Sequence, residues 1–404
     1  MQNRAEKSKN KYVAGLKAKF AISLVSFALC FLGQEIAVRV IGNFDKDGQF
    51  YFLNRRILPW KIQAHKYEED LRAYLAKSRV SSFAYDENSG WIINPELEDV
   101  NSLGMHTDRE YSKTVTPGTI RIALFGDSFT AGDEVKSNET WAYLLEQNLR
   151  QQGYNVEILN FGVSAYGMDQ AYLRWLNVGK YYQPDIVVFG FQPGNMERNL
   201  TAFRPLIGGS FPLSKPRFIL ENGDLKLINS PPIPPSEKLI EVYKDFKANP
   251  FIKYEVLYDE RYQENWWESS KLLSVIVYLS WPGRTEGEED LYQNGAYVTD
   301  LAAAIINRFG TEVKQQGSEF VVVHLPPRGD LERAVNGLAL PYDFVLNDIA
   351  KNYVLIRPEK VFTDKGNQYW MPGTHYSPQA NQIVAKYVAK QILPVLKQRA
   401  ISHN

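Results

Sequence analysis

The chain has 404 residues, 44% of them hydrophobic, and its 46 basic and 46 acidic side chains cancel. That is enough for one large core with an insertion, or for two domains, and zero net charge removes the electrostatic reason to expect nucleic acid. A single cysteine, Cys30, excludes an intramolecular disulfide; with no Cys/His cluster at ligand spacing and no glycine-rich phosphate loop, no metal and no cofactor is expected.

At the N-terminus, Arg4, Lys7, Lys9, Lys11, Lys17 and Lys19 are opposed by Glu6 alone, and an apolar stretch, 20–33, follows. The uninterrupted run is shorter than the ~20 residues that span a bilayer. Residues 36–41 extend it, while Glu35 and Arg39 are four apart and can pair on one helix face. Residues 1–17 therefore read as a cytoplasmic basic tail. Residues 18–41 read as a signal-anchor transmembrane helix, which makes the protein single-pass in the cell membrane with everything after residue 41 extracytoplasmic. The other reading is a cleaved signal peptide, whose apolar core has this length. Against it, no small-x-small cleavage site is evident, and Leu29 before Cys30 is a poor lipoprotein site.

Residues 42–115 read as a linker and N-terminal extension with some helical content, including 66–77. The main domain is expected over 116–398. Apolar runs at 119–125, 156–159 and 186–191 predict buried strands, separated by helical patterns at 140–152 and 169–181. A helix over 297–315, a strand over 320–324, a short strand over 353–356 and a helix over 378–396 complete the series. This alternation predicts an α/β fold with a parallel sheet and helices on both faces. Residues 200–295 break the alternation. They hold Pro231-Pro232-Ile233-Pro234-Pro235, Trp266-Trp267 and Trp281, and read as a lid-like insertion. Its tryptophans either face a substrate or form the insertion's own small core.

Gly126-Asp127-Ser128-Phe129-Thr130 follows the first strand. A serine between the C-terminal end of a parallel strand and a helix start stands where open α/β sheets put their chemistry, beside backbone N–H groups able to hold negative charge. Asn160-Phe161-Gly162-Val163-Ser164 follows the second strand and Gly194-Asn195 the third; His375 lies in Gly373-Thr374-His375-Tyr376-Ser377-Pro378, before the last helix. The Gly-x-Ser-x-Gly elbow of α/β-hydrolases is missing. Asp127 reads as a helix cap or loop brace rather than a reacting group. His324 lies inside an apolar run and reads as a core or strand-end histidine; His65, His106 and His403 lie away from any such block.

Serine, glycine, asparagine and histidine in that order resemble the SGNH/GDSL hydrolases, particularly their membrane-anchored bacterial members. The recurring pattern runs from Asn101-Ser102-Leu103-Gly104 through the strand to Gly126-Asp127-Ser128-Phe129-Thr130-Ala131-Gly132. The likeness covers roughly residues 100–200 and 295–396. It implies a flavodoxin-like three-layer αβα sandwich with a parallel sheet. It further implies Ser128 as nucleophile, His375 as base, and an oxyanion hole of the Ser128 N–H, the Gly162 N–H and the Asn195 side-chain amide.

Two positions depart from the family pattern. Pro372 stands where an aspartate usually orients the histidine, and Met196 stands where an aspartate usually follows the asparagine. Three repairs for Pro372 are open: a backbone carbonyl accepts the histidine proton, Asp364 reaches in, or hydrolytic power is lost and binding remains. The expected function is that of an extracytoplasmic serine esterase acting on carboxylic, in particular O-acetyl, esters. The alternatives are an O-acyltransferase acting on envelope or exopolysaccharide glycan, and a glycan-binding pseudoenzyme. The expected partners are an ester substrate, such as an acylated glycan, and the membrane. The sequence leaves the oligomeric state open.

Overall fold

In the computed structural model, residues 2–77, 81–207, 212–262, 264–281, 292–293, 295–364 and 366–402 are described. The chain divides into two units, one of residues 1–65 with 258–286 and one of residues 66–257 with 287–404.

The first unit is built on one long helix, α1 (Gln2–Ile41). Its segment Gly15–Ile41 is long and apolar enough to cross a membrane. A short three-stranded antiparallel sheet follows, over residues 43–56. A small core joins Val38, Phe50, Ile57 and Val275. Trp281 packs edge-on against Trp60 at 5.9 Å, whereas Trp266 is 84% exposed. Of the insertion's tryptophans, one therefore packs on a neighbouring ring and another faces outward. The stretch 200–295 is itself shared between the two units.

The second unit holds a five-stranded, all-parallel sheet. Its strands are β1 (Ile120–Phe125), β2 (Val156–Asn160), β3 (Ile186–Phe191), β4 (Glu319–His324) and β5 (Val354–Ile356), in the order β2-β1-β3-β4-β5. This is the flavodoxin-like order, with its topological switch between β1 and β3. The helices that cover the sheet include α3 (Trp141–Gln151), α4 (Met168–Asn177), α7 (Tyr297–Gln315) and α8 (Pro378–Ser402). Alternation along β1 sorts the two faces. Ile120, Ile122 and Leu124 join an aliphatic core with Leu145 and Leu149 of α3 and Val384, Val388 and Ile392 of α8. On the other face Phe125 stacks on Phe161 at 5.0 Å, and Phe309 of α7 meets Phe125, Trp175, Phe189 and Phe320. Both faces are covered, so the strands read as near-continuous apolar runs. The exception, Arg121, is satisfied in place. It lies opposite Glu157 on β2, donates to that carboxylate at 2.7 Å through Nε, and donates to the Tyr182 carbonyl at 2.6 Å.

Much of the expected linker is structure. Ala64–Leu75 is a helix, and Phe83–Asp86 pairs antiparallel with Gly90–Ile93. Buried Trp91 donates from Nε1 to the Ser164 carbonyl at 3.0 Å, and Tyr166 donates its hydroxyl to the Trp91 carbonyl at 2.6 Å. This extension thereby braces the loop after β2. Within the same unit, the part of the insertion before residue 258 is fixed by buried polar contacts. Lys215 pairs with Asp169, and Glu255 accepts from the Ala202 N–H at 3.0 Å.

Candidate active site

The four sequence blocks come together at the C-terminal edge of this sheet. Gly126 ends β1, and Ser128 opens the one-turn helix α2 (Ser128–Ala131). Asp127 caps that turn by accepting from the Phe129 N–H at 3.0 Å, and Gly132 closes it with φ 82°, a left-handed angle that suits glycine. No residue larger than glycine fits at 126, because a Cβ there would lie 2.2 Å from Thr130 Oγ1 and 2.9 Å from the Gly190 carbonyl. Ser128 is buried, and among the described residues its own N–H makes no hydrogen bond.

Asn195 lies in α5 (Gly194–Arg198) and is fully buried. Arg198 holds it by donating from Nη1 to Asn195 Oδ1 at 2.8 Å and to Asp127 Oδ2 at 2.7 Å. With the carbonyl side engaged, the amide nitrogen Nδ2 is left buried without a partner among the described residues. A buried amide donor in that condition costs free energy unless a ligand takes it. Met196, the other departure from the family pattern, is fully buried.

Gly162 is placed differently from the expectation. Its N–H donates to Asn160 Oδ1 at 3.0 Å, and a Cβ at this position would meet the Ala131 nitrogen at 2.5 Å. The glycine lets the loop after β2 lie directly on α2. Three residues on, Ala165 adopts φ 67°, and its N–H has no hydrogen bond among the described residues.

His375 follows a tight turn in which the Thr374 N–H donates to the Met371 carbonyl at 2.9 Å and Thr374 itself has φ 74°. The imidazole packs on Phe129, the neighbour of Ser128, with ring centroids 5.3 Å apart. Its Nδ1 lies 2.6 Å from Glu134 Oε2. The same carboxylate accepts from the Gly373 N–H at 2.7 Å and the His375 N–H at 3.3 Å. Gly373 is required for that approach, since a Cβ there would fall 2.5 Å from Glu134 Oε2. Burial alone would raise the Glu134 carboxyl, but these bonds outweigh it and hold the group below the ordinary carboxylate range.

The histidine thus has an acidic partner that sequence reasoning missed. Asp364, the expected candidate, is engaged elsewhere. It accepts from the Gly366 N–H at 2.7 Å, from Gln368 Nε2 at 3.2 Å and from the Tyr369 hydroxyl at 3.3 Å. It shapes its own turn and does not hold His375. The overlooked signal was Asp133-Glu134, two consecutive acids just after the serine turn. Asp133 accepts the Ser164 hydroxyl at 2.7 Å. Burial pushes its carboxyl up, against the hydroxyl bond and the nearby imidazole of His375. His324 is a core group as expected, fully buried between Glu359 at 2.9 Å and the Tyr342 hydroxyl at 3.0 Å. Among the described residues, no cluster of three or more His, Cys, Asp or Glu could hold a metal ion.

No family model matches the chain, and no curated protein matches it. Solved structures do match. The lipase/acylhydrolase from Enterococcus faecalis is 14% identical, covering 68% of this chain and 96% of its own, with a TM-score of 0.37. The family 3 carbohydrate esterase from Clostridium thermocellum is 13% identical, covering 70% and 99%, also at 0.37. A putative lipolytic protein of the G-D-S-L family from Desulfitobacterium hafniense is 11% identical, covering 67% and 98%, at 0.33. The chain's own strand order is that of a flavodoxin-like α/β fold with a five-stranded parallel sheet, and the serine, glycine, asparagine and histidine blocks meet at one edge of it.

Proposed function

We propose that the protein is a membrane-anchored serine esterase whose acid–base pair is His375 and Glu134. The observation that carries this reading is the 2.6 Å contact between His375 Nδ1 and Glu134 Oε2. It supplies the orienting acid that Pro372 took away, and with it goes the motive for a binding-only pseudoenzyme. In this mechanism His375 Nε2 takes the proton of the Ser128 hydroxyl as Oγ attacks an ester carbonyl. Glu134 fixes the tautomer and stabilises the imidazolium that forms. The Ser128 N–H and Asn195 Nδ2 receive the developing oxyanion. A third donor comes from the loop after β2. There the Ala165 N–H is open, while the Gly162 N–H would first have to leave Asn160 Oδ1. The imidazolium then protonates the departing alcohol, and water attacks the acyl-serine with His375 again as base.

Glu35 favours a retained anchor over a cleaved signal. It accepts from the Ser270 hydroxyl and from the N–H groups of Lys271 and Leu272, which cleavage between residues 35 and 42 would leave bare. An anchored, extracytoplasmic site suits O-acyl esters of envelope or exported glycan.

The test is covalent labelling of the full chain by a fluorophosphonate, which needs an activated serine but no knowledge of the substrate. Labelling should vanish in Ser128→Ala and His375→Ala and fall strongly in Glu134→Gln. An unlabelled but folded parent would overturn the esterase reading.

A further inference from the structure

Between Phe20 and Ile41 the only charged residues are Glu35 and Arg39. They pair at 2.6 Å and face a second apolar helix, α6 (Lys271–Ser280). Glu35 accepts from Ser270 Oγ at 2.8 Å, the Lys271 N–H at 2.9 Å and the Leu272 N–H at 2.8 Å. Arg39 Nη2 donates to the Ser269 carbonyl at 2.6 Å. The carboxylate thus satisfies first-turn amides of α6, where negative charge is favoured. The two charges that interrupt the spanning sequence are the bracket that holds α6 and the preceding turn, Trp266–Ser269.

Depth along α1 decides where that turn lies. Away from the bracket, α1 stays apolar and exposed to its end; Ile36, Val40 and Ile41 are each more than half exposed. From residue 20 to residue 41 the helix rises about 32 Å at ~1.5 Å per residue, close to the ~30 Å hydrocarbon core. Residues 35 and 39 then sit about 9 and 3 Å inside its outer end. Apart from Glu268, which pairs with Lys61, and Lys271, which opens α6, what they hold exposes apolar side chains. Trp266 is 84% exposed, and Ile276 and Leu279 of α6 are about half exposed. Water gives these groups no partner, whereas an indole at the membrane interface buries its body and keeps its N–H wet.

We propose that the Trp266 turn and α6 make a second, shallow membrane contact, seated in the outer leaflet beside α1. The proposal rests on the anchor reading. Backbone at that depth must have its polar groups met internally, and the Glu35–Arg39 bracket does this for the start of α6. The occupant of this apolar surface is lipid, because the surface continues that of the spanning helix.

The experiment places the full chain and its Trp266→Phe variant in phosphatidylcholine vesicles. The lipids are brominated either near the headgroup end of the acyl chains or near their terminal methyls. The wild-type minus variant difference isolates one indole of eight. The expected difference spectrum is blue-shifted from that of a water-exposed indole, and quenched more by shallow than by deep bromine. Emission typical of water overturns the proposal. So does a blue-shifted component that neither lipid quenches, because it would place protein, such as a second copy, over Trp266. Flotation of the same vesicles separates the premise. A chain that does not float has no anchor, and both readings fall.

Discussion

The two halves of the candidate site are built in opposite ways. The serine–asparagine half stands on strand ends, with Asp127 and Asn195 fully buried and joined through one guanidinium, Arg198. The histidine half is two loops. His375 and Glu134 side chains keep 22% and 27% exposure, and both Glu134 and Thr374 hold left-handed backbone angles of 68° and 74°. Such angles are uncommon for residues with a side chain and persist where the surroundings fix them. Here one carboxylate does the fixing, by accepting from His375 Nδ1 and from the Gly373 and His375 N–H groups. The serine–asparagine half is therefore over-determined by the fold, whereas the imidazole of the histidine half has one polar partner among the described residues, the Glu134 carboxylate.

Removing that side chain's charge is the sharpest way to break the contrast. Glu134→Gln should lower kcat by about 10³-fold, somewhat less than loss of a fully buried triad acid. Glu134→Asp, which keeps the charge, should restore part of kcat, whereas a merely structural glutamate would be served as well by glutamine. In the other half, Asn195→Ala should cost about 10²-fold in kcat with little change in KM, as expected for a donor used only in the transition state. Equal kcat in that variant and the parent would remove Asn195 from the mechanism.

Arg198→Met tests whether the buried half is held as described. It leaves the Asp127 carboxylate buried and unpaired and lets the Asn195 amide turn. A loss of about 3 kcal/mol in unfolding free energy is expected, by analogy with other broken buried pairs, together with about tenfold lower activity. A variant as stable as the parent would show that the guanidinium is not needed there. The exposed half answers to pH instead. The Glu134 carboxyl titrates lower in the folded protein than in the unfolded chain, so its bonds stabilise the fold above the ordinary value of 4.5. That contribution fades as pH falls through the folded value. Denaturation midpoints of the parent and Glu134→Gln should differ at neutral pH and converge in acid.

The same contrast explains what the sequence made legible. The sheet was readable because both its faces are covered and its strands are continuous apolar runs, and three site blocks were readable because they end those strands. Glu134 was not, because nothing periodic marks it. It reaches His375 across 241 positions of chain, through a turn whose conformation depends on the contact itself. The 83–106 stretch was hidden for a related reason: each of its main anchors pairs a side chain with a distant backbone carbonyl, Trp91 Nε1 with Ser164 and the Tyr166 hydroxyl with Trp91, and no spacing announces such a pair. The roles of Glu35 and Arg39 were half legible. Their spacing announced the pair but not the helix start that it caps.

The smallest effect is expected at Asp364, and it is the one that discriminates between the two acids. Both acids lie near the histidine block, and by position in the chain Asp364 is the nearer. Its carboxylate, however, is committed to Gly366, Gln368 and Tyr369, which organise the turn leading to Trp370. Asp364→Asn keeps an acceptor for Gly366, so the turn should survive. Activity should stay within about twofold of the parent, as for a surface change away from the site. If Asp364→Asn instead lowers kcat strongly while Glu134→Gln leaves it unchanged, the acid comes from the histidine's own loop. The acid–base half would then be as local in sequence as the nucleophile half, and the contrast between them would disappear.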